Sequence, residues 1–140
     1  MKKFSYLFFT FFLATSCTKE PNSNVQLNDF ADNISVQKLG QRLSNLPFGL
    51  NKLEPESVEA EEIFIGVHGG RSEGYEWIYP LKVINTKKKE MYFYRWPDSS
   101  CFQDSAKQLM LSIDSILKLR PALTKVTLIG HSYGGILVSH

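Results

Sequence analysis

The five residues Gly-His-Ser-Tyr-Gly at positions 130–134 form a Gly-x-Ser-x-Gly pattern whose serine could act as a nucleophile. A serine hydroxyl attacks a carbonyl carbon when a base accepts its proton, and it then carries the acyl group covalently. The chemistry needs a strand directly before this pattern and a helix directly after it. Val126–Ile129 is a predicted strand, and residues 136–138 begin a predicted helix. The pattern therefore predicts a sharp strand-to-helix turn, called the elbow below (residues 130–134), with Ser132 as the catalytic nucleophile.

Glycine at both ends of the elbow fits such a sharp bend. A side chain at Gly130 or Gly134 would collide with the neighbouring strand and helix, so glycine is expected at both positions. The backbone N–H of Tyr133 belongs to the start of the helix, where free amides and the positive end of the helix dipole favour a negative charge. Tyr133 is therefore a predicted donor to an oxyanion formed when Ser132 attacks.

The tripeptide His68-Gly69-Gly70, called the HGG loop below, is the candidate source of a second oxyanion donor. It follows Ile63–Val67, a continuously apolar run that is typical of a strand buried on both faces of a parallel sheet. Glycine lets a backbone approach a substrate oxygen closely. We therefore expect the second donor to come from this loop.

The elements around these two loops alternate between strand and helix. Residues 91–96 are rich in aromatic side chains and predict a strand. Residues 101–120 carry an apolar stripe, which includes Met110, at three- and four-residue steps and predict a helix. Ser100 and Gln103 are expected to cap that helix reciprocally, and Cys101 is expected to be a buried apolar residue. A weaker helix is predicted over 34–46, a short one over 77–84, and an exposed acidic segment over 54–62. This alternation predicts an α/β fold with a parallel sheet and flanking helices.

The chain from about Ile63 to His140 resembles the first part of an α/β-hydrolase, in particular the lipase and esterase branch. The likeness rests on HGG at 68–70, YFYRWPD at 92–98 and GHSYGG at 130–135. It implies that residues 63–68, 91–96 and 126–130 are the third, fourth and fifth strands of that family's sheet. It implies the following roles: Ser132 as nucleophile, Tyr133 and Gly70 as oxyanion donors with Gly69 and Arg71 beside them, His68 as structural support for the loop, and His131 as an elbow residue that is not the base.

The resemblance also implies a catalytic acid and a histidine that follow the nucleophile along the chain. His140 would lie about 12 Å from Ser132 along a continuing helix, which is beyond hydrogen-bond reach. Asp98 does not stand in the family's usual place for the acid. We therefore expect residues 34–140 to form the N-terminal part of an α/β-hydrolase domain, truncated just after the elbow. Such a chain should be inactive alone, because the acid and the base are missing.

The function implied by the resemblance is hydrolysis of a carboxylic ester, on a small molecule or a lipid, through an acyl-enzyme on Ser132. A thioesterase or peptidase of the same fold is an alternative that the elbow does not separate from an esterase. A non-catalytic lipoprotein that keeps the fold as a binding module is another.

The N-terminus predicts export. Lys2 and Lys3 precede a short apolar run over 4–15, which is too short to span a bilayer and suits a signal peptide over residues 1–16. The segment ending in Cys17 resembles the lipobox of bacterial lipoproteins, which implies a lipid anchor on Cys17 and a polar tether over 17–33. The expected location is the bacterial cell envelope, on the periplasmic side or at the cell surface. An ordinary signal peptide with an incidental cysteine is the alternative.

Composition excludes several other classes. The 140 residues carry a formal net charge of +2, which is too small to indicate nucleic-acid binding. With Cys17 used as an anchor, Cys101 is the remaining cysteine, so no internal disulfide is expected. His68, His131 and His140 lack metal-ligand spacing, and no cofactor or phosphate-loop motif is present. We therefore expect neither a metal nor a cofactor.

Overall fold

A computed structural model describes residues 36–140 of the chain. The predicted signal peptide, the predicted lipidation site Cys17 and the predicted tether all lie outside the described residues. In chain order, the elements of this part of the chain are α1 (Val36–Ser44), β1 (Gly49–Lys52), β2 (Glu62–Val67), a 3₁₀ turn (Tyr75–Trp77), α2 (Ile78–Ile84), β3 (Lys89–Arg95), α3 (Phe102–Leu119), β4 (Lys125–Gly130) and α4 (Tyr133–Val138). No helix within residues 36–140 is long and apolar enough to cross a membrane.

Four strands form one mixed sheet in the order β1-β3-β2-β4. β2 pairs in parallel with β3 and with β4, as the alternation of elements predicted. β1 pairs antiparallel with β3, so the prediction of a wholly parallel sheet is wrong. This edge strand was missed because Gly-Leu-Asn-Lys is only four residues long and lacks the β-branched and aromatic residues that mark strands.

Each face of the sheet carries its own apolar core, because successive side chains of a strand point to opposite faces. Phe64, Met91 and Phe93 pack with α1, α2 and the 3₁₀ turn on one face. Ile65, Tyr94 and their neighbours pack with α3 and α4 on the other. The sheet is thus covered on both sides by helices, which is the arrangement expected of the α/β class.

The start of α3 differs from its prediction. Its N-cap is Cys101, which is exposed and makes no capping bond, so the predicted burial of this cysteine is wrong. The Ser100 hydroxyl instead donates to the carbonyl of Pro97 at 2.7 Å and contacts the Ser105 hydroxyl at 2.7 Å. The predicted capping box is therefore absent. Met110 is 54% exposed although it falls within the apolar stripe, which is thus narrower than predicted.

Glu62 departs from the predicted exposed acidic segment. It is the first residue of β2 and is buried, with 9% of its surface exposed. Its carboxylate accepts hydrogen bonds from the hydroxyl of Thr127 at 2.6 Å and from Lys125 at 3.2 Å. These bonds compensate for the burial of the charge, and the Thr127 hydroxyl foremost holds the pKa of Glu62 below its ordinary value.

The topology makes the carboxyl ends of β2 and β4 an expected position for a ligand. The connection after β2 leads to α2 on one face of the sheet, whereas β4 leads to α4 on the opposite face. Ligands of open α/β sheets bind outside the carboxyl ends of the strands where neighbouring connections part in this way. Val67 is paired with Gly130 at these carboxyl ends, so the HGG loop and the elbow begin side by side.

Candidate functional site

Ser132 stands in a strained conformation between β4 and α4. Its backbone angles are φ 52° and ψ −121°, a combination that L-residues rarely adopt. Backbone outliers of this kind cost about 1–3 kcal/mol and persist where the surroundings enforce them. Here the backbone N–H of His131 donates to the carbonyl of Val67 at 3.0 Å, and the Gly134 N–H donates to the carbonyl of His131 at 2.8 Å. The elbow is therefore fixed both to β2 and to the first turn of α4.

The packing around Gly130 and Gly134 leaves no room for side chains. A Cβ at Gly130 would overlap the backbone of Gly134 and Gly135. A Cβ at Gly134 would come within 2.5 Å of the carbonyl oxygens of His68 and Val67. Both collisions involve backbone atoms. The sequence pattern predicted that side chains at these two positions would collide with the neighbouring strand and helix.

The HGG loop lies directly against the elbow. A Cβ added to Gly69 would lie 3.3 Å from Cβ of Ser132, and one added to Gly70 would lie 2.5 Å from Cδ2 of Tyr133. Glycine at both positions thus permits the contact between the two turns. The structure brings together the predicted nucleophile and both predicted oxyanion donors.

Two backbone N–H groups at this contact have no acceptor among residues 36–140. Within residues 36–140, neither the Gly70 N–H nor the Tyr133 N–H donates a hydrogen bond to another group of the protein. An unpaired N–H is costly in a protein interior, but at a crevice it can donate to a substrate. Two such donors on facing turns are the parts that an oxyanion hole needs.

His68 supports the HGG loop, the structural role that the resemblance implied. The side chain is buried, and its Nδ1 donates to the carbonyl of Gly69 at 2.7 Å. Its Nε2 then accepts from the backbone N–H of Trp96 at 3.1 Å. The indole Nε1 of Trp96 donates to the carbonyl of His68 at 2.9 Å, and the two rings stack with centroids 5.6 Å apart. The loop after β2 is thereby fastened to the end of β3.

Glu76 joins the two turns and was not found from the sequence. Its Oε1 accepts from the Ser72 hydroxyl at 2.7 Å and lies 3.4 Å from the backbone nitrogen of Gly69. The same oxygen is 3.4 Å from Nδ1 of His131 in the elbow. The turn over 70–77, which includes Gly74 at φ 83°, folds Glu76 back toward the end of β2. No local pattern signals this contact, because the fold creates it.

Asp98 has a role in the HGG loop that the sequence did not indicate. Its Oδ2 accepts a hydrogen bond of 2.7 Å from the backbone N–H of Arg71. Arg71 directly follows Gly70 and, like Ser132, has a positive φ, 54°. The carboxylate therefore holds the residue next to a candidate oxyanion donor in an uncommon conformation.

Within the described residues, the Ser132 hydroxyl has no hydrogen-bond partner that could act as a base. The side chain of His131 is 57% exposed, and its Nδ1 lies 3.4 Å from Oε1 of Glu76. His140 is exposed beyond the end of α4. Residues 36–140 also contain no group of three or more histidines, cysteines and acids that could hold a metal ion.

Comparisons of the chain with protein-family models, with curated proteins and with solved structures give no match. The function must therefore be inferred from the site itself.

Proposed function

We propose that this protein is a serine hydrolase of the α/β-hydrolase type that cleaves carboxylic esters through an acyl-enzyme on Ser132. The observation that carries the proposal is the strained backbone of Ser132 at a strand-to-helix turn, with φ 52° and ψ −121°. Strain of this kind concentrates at functional sites, and a nucleophilic serine on such an elbow is the arrangement that acyl transfer uses in this fold.

In the proposed reaction the Ser132 Oγ attacks the ester carbonyl carbon while its proton passes to a general base. The carbonyl π electrons move onto the oxygen, and the N–H groups of Tyr133 and Gly70 donate to that oxyanion. Collapse of the tetrahedral intermediate breaks the bond to the alcohol, which leaves with the proton from the base. Water then attacks the acyl-enzyme in the same manner, which releases the acid and restores the serine. In α/β-hydrolases the general base is a histidine that an acidic residue orients, and both residues follow the nucleophile in the chain.

The site does not separate an ester from a thioester or a peptide, because the nucleophile and oxyanion donors would serve all three. A non-catalytic module remains the alternative from another class. Fluorophosphonate labelling distinguishes a hydrolase from a non-catalytic module. Activity on ester, thioester and peptide substrates then distinguishes the three kinds of hydrolase.

The test is covalent labelling of the protein, expressed from its complete reading frame, with a fluorophosphonate. We expect stoichiometric labelling of the wild type, loss of the label in Ser132→Ala, and normal labelling in Ser139→Ala. Ser139 is a matched control because its hydroxyl only donates to the carbonyl of Ile136 at 2.7 Å, at the end of the same helix. A wild-type protein that is folded but unlabelled would contradict the proposal and favour the non-catalytic module.

We further propose that the protein is exported and anchored to a bacterial membrane by acylation of Cys17. Only the sequence supports this part of the proposal. Metabolic incorporation of an alkyne fatty acid should disappear in Cys17→Ser and persist in Cys101→Ser, whose cysteine is exposed on the domain. Equal incorporation in all three proteins would place the acyl group elsewhere.

A further inference from the structure

A polar cleft of about 270 Å³ opens beside the HGG loop, at the carboxyl end of β3. It is lined by His68, Arg71 and Ser72 from one side and by the segment 95–99 from the other, with Ser44 and Phe48 at its edge. The Cα of Arg71 is about 3.8 Å from that of Gly70. The cleft therefore begins next to a candidate oxyanion donor.

Two arginines give this cleft a positive charge. Within residues 36–140, neither Arg71 nor Arg95 forms an ion pair with a carboxylate. Asp98 is the acidic residue in the lining, and its Oδ2 accepts from the backbone N–H of Arg71. Two cationic side chains against one carboxylate give the lining an excess of positive charge, and the nearby carboxylate of Glu76 is engaged by the Ser72 hydroxyl and the Gly69 N–H.

The guanidinium of Arg95 is held in place without being neutralised. Its Nη1 donates to the carbonyl oxygen of Leu46, which is a neutral acceptor. Its Cζ lies 4.3 Å from the centroid of the Phe48 ring, so the planar group rests on an aromatic face. A guanidinium carries five N–H donors, and those not used by Leu46 remain available to an anion.

The size and lining of the cleft determine what could occupy it. Sites for whole small molecules usually measure about 300–1,000 Å³ and are mostly apolar. This smaller cleft combines arginine, serine, histidine and aspartate with three apolar residues, and such a mainly polar lining suits one polar end of a substrate better than an aliphatic chain. Arginine matches carboxylate and phosphate groups because its fork of donors can bind two oxygens at once.

We propose that this cleft binds an anionic group of the ester substrate, so that the preferred substrates carry a carboxylate or phosphate. This inference rests on the proposed function of Ser132 and assigns it a substrate class. Arg71 and Arg95 are specificity-determining residues in this scheme, and they take no part in bond breaking.

The test compares two esters, mono-4-nitrophenyl succinate and 4-nitrophenyl butyrate, with the full-length protein. The acyl chain of the first ends in a carboxylate where that of the second ends in a methyl group. We expect kcat/KM to favour the succinate ester by at least tenfold, since hydrogen bonds to a charged group contribute about 1.5–3 kcal/mol. The ratio of kcat/KM for the succinate ester to kcat/KM for the butyrate ester should fall about tenfold in Arg71→Gln and in Arg95→Gln. It should stay at the wild-type value in Lys107→Gln, which removes one positive charge from the exposed surface of α3.

Calorimetric titration with free succinate and with inorganic phosphate distinguishes the two kinds of anion and does not depend on activity. Binding of either anion that is weakened in Arg95→Gln and unchanged in Lys107→Gln supports the cleft and identifies its preference. A protein that is labelled at Ser132 but binds neither anion and shows equal kcat/KM for both esters overturns this inference alone. A protein that binds an anion but is never labelled overturns the proposed hydrolase and leaves the anion site standing.

Discussion

The backbone N–H of Arg71 donates a hydrogen bond of 2.7 Å to Oδ2 of Asp98, across 27 residues of sequence. The bond connects the residue that follows the HGG loop with the loop after β3. It holds Arg71 at φ 54° beside Gly70, whose free N–H is a candidate oxyanion donor. A small displacement of such a donor weakens catalysis strongly, because its value depends on being fixed before the charge develops.

Asp98→Ala should therefore reduce kcat by about 10–100-fold, while Asp98→Asn, which keeps an oxygen acceptor, should stay within about fivefold of the wild type. Steady-state kinetics on 4-nitrophenyl butyrate measure both. If Asp98 were the catalytic acid instead, the asparagine variant would lose about 10⁴-fold, because a lost carboxylate leaves the histidine in the wrong tautomer. A large loss in Asp98→Asn would contradict the positioning role.

His68 and His131 provide a matched pair for the stability of the loops. Replacing His68 by Ala removes the acceptor for the buried Trp96 N–H and should lower the free energy of unfolding by about 2–3 kcal/mol. His131→Ala removes an exposed ring and its 3.4 Å contact with Glu76, and it should change this free energy by less than about 1 kcal/mol. Urea unfolding followed by tryptophan fluorescence measures both changes. Equal changes in the free energy of unfolding of the two variants would show that the hydrogen bonds of His68 do not stabilise the loop.

The sequence predicted the elements whose signals are local. Three parallel strands, the long helix α3 and the elbow glycines were recovered because apolar runs, helical spacing and the Gly-x-Ser-x-Gly pattern each lie within a few residues. Glu76 and Asp98 were missed as loop-fixing groups, because their partners Gly69 and Arg71 reach them through the fold.

The exposed and buried states of single residues were harder to predict. Met110 has helical spacing typical of the core but lies at the edge of the stripe, and it is 54% exposed. Glu62 has the composition of a surface residue but begins a buried strand, where Thr127 and Lys125 on β4 stabilise its charge. The burial of Glu62 depends on which strand becomes its neighbour in the sheet, which a single sequence does not reveal.

Gly130 and Gly135 allow a sharp test of the elbow packing. Gly130→Ala would drive its Cβ into the backbone of Gly134 and Gly135, so we expect a loss of more than about 2 kcal/mol of stability together with loss of fluorophosphonate labelling. Gly135→Ala would place its Cβ 3.4 Å from the Gly130 carbonyl oxygen, an ordinary contact. On a helix this change should be neutral or stabilising. Thermal unfolding measures the stability of both variants. A Gly130→Ala variant as stable as the wild type would show that the turn has room for a side chain.

Glu90 forms an ion-pair cluster at the opposite end of β3 from the site. The carboxylate is 1% exposed, lies 3.1 Å from Nζ of Lys52 and 2.6 Å from Nη1 of Arg120, and accepts from the Tyr92 hydroxyl at 3.1 Å. Burial alone would raise the pKa of Glu90, but the bonds and charges of Lys52 and Arg120 outweigh it and lower the pKa. Burial and the neighbouring Glu90 raise the pKa of Tyr92.

A lowered pKa in the folded state means that the Glu90 contribution is fully present above the ordinary value of 4.5 and is lost as the pH falls below it. We expect Glu90→Gln to lower the free energy of unfolding at pH 7 by about 3 kcal/mol, because two cations lose their buried partner. In this variant the free energy of unfolding should also fall less steeply below pH 4.5. The remaining fall is due to Glu62, whose pKa is lowered as well. Glu59→Gln, at an exposed position, is the control and should change neither quantity. Urea unfolding between pH 3 and pH 7 measures both effects, and an unchanged acid dependence in Glu90→Gln would show that this cluster does not govern acid stability.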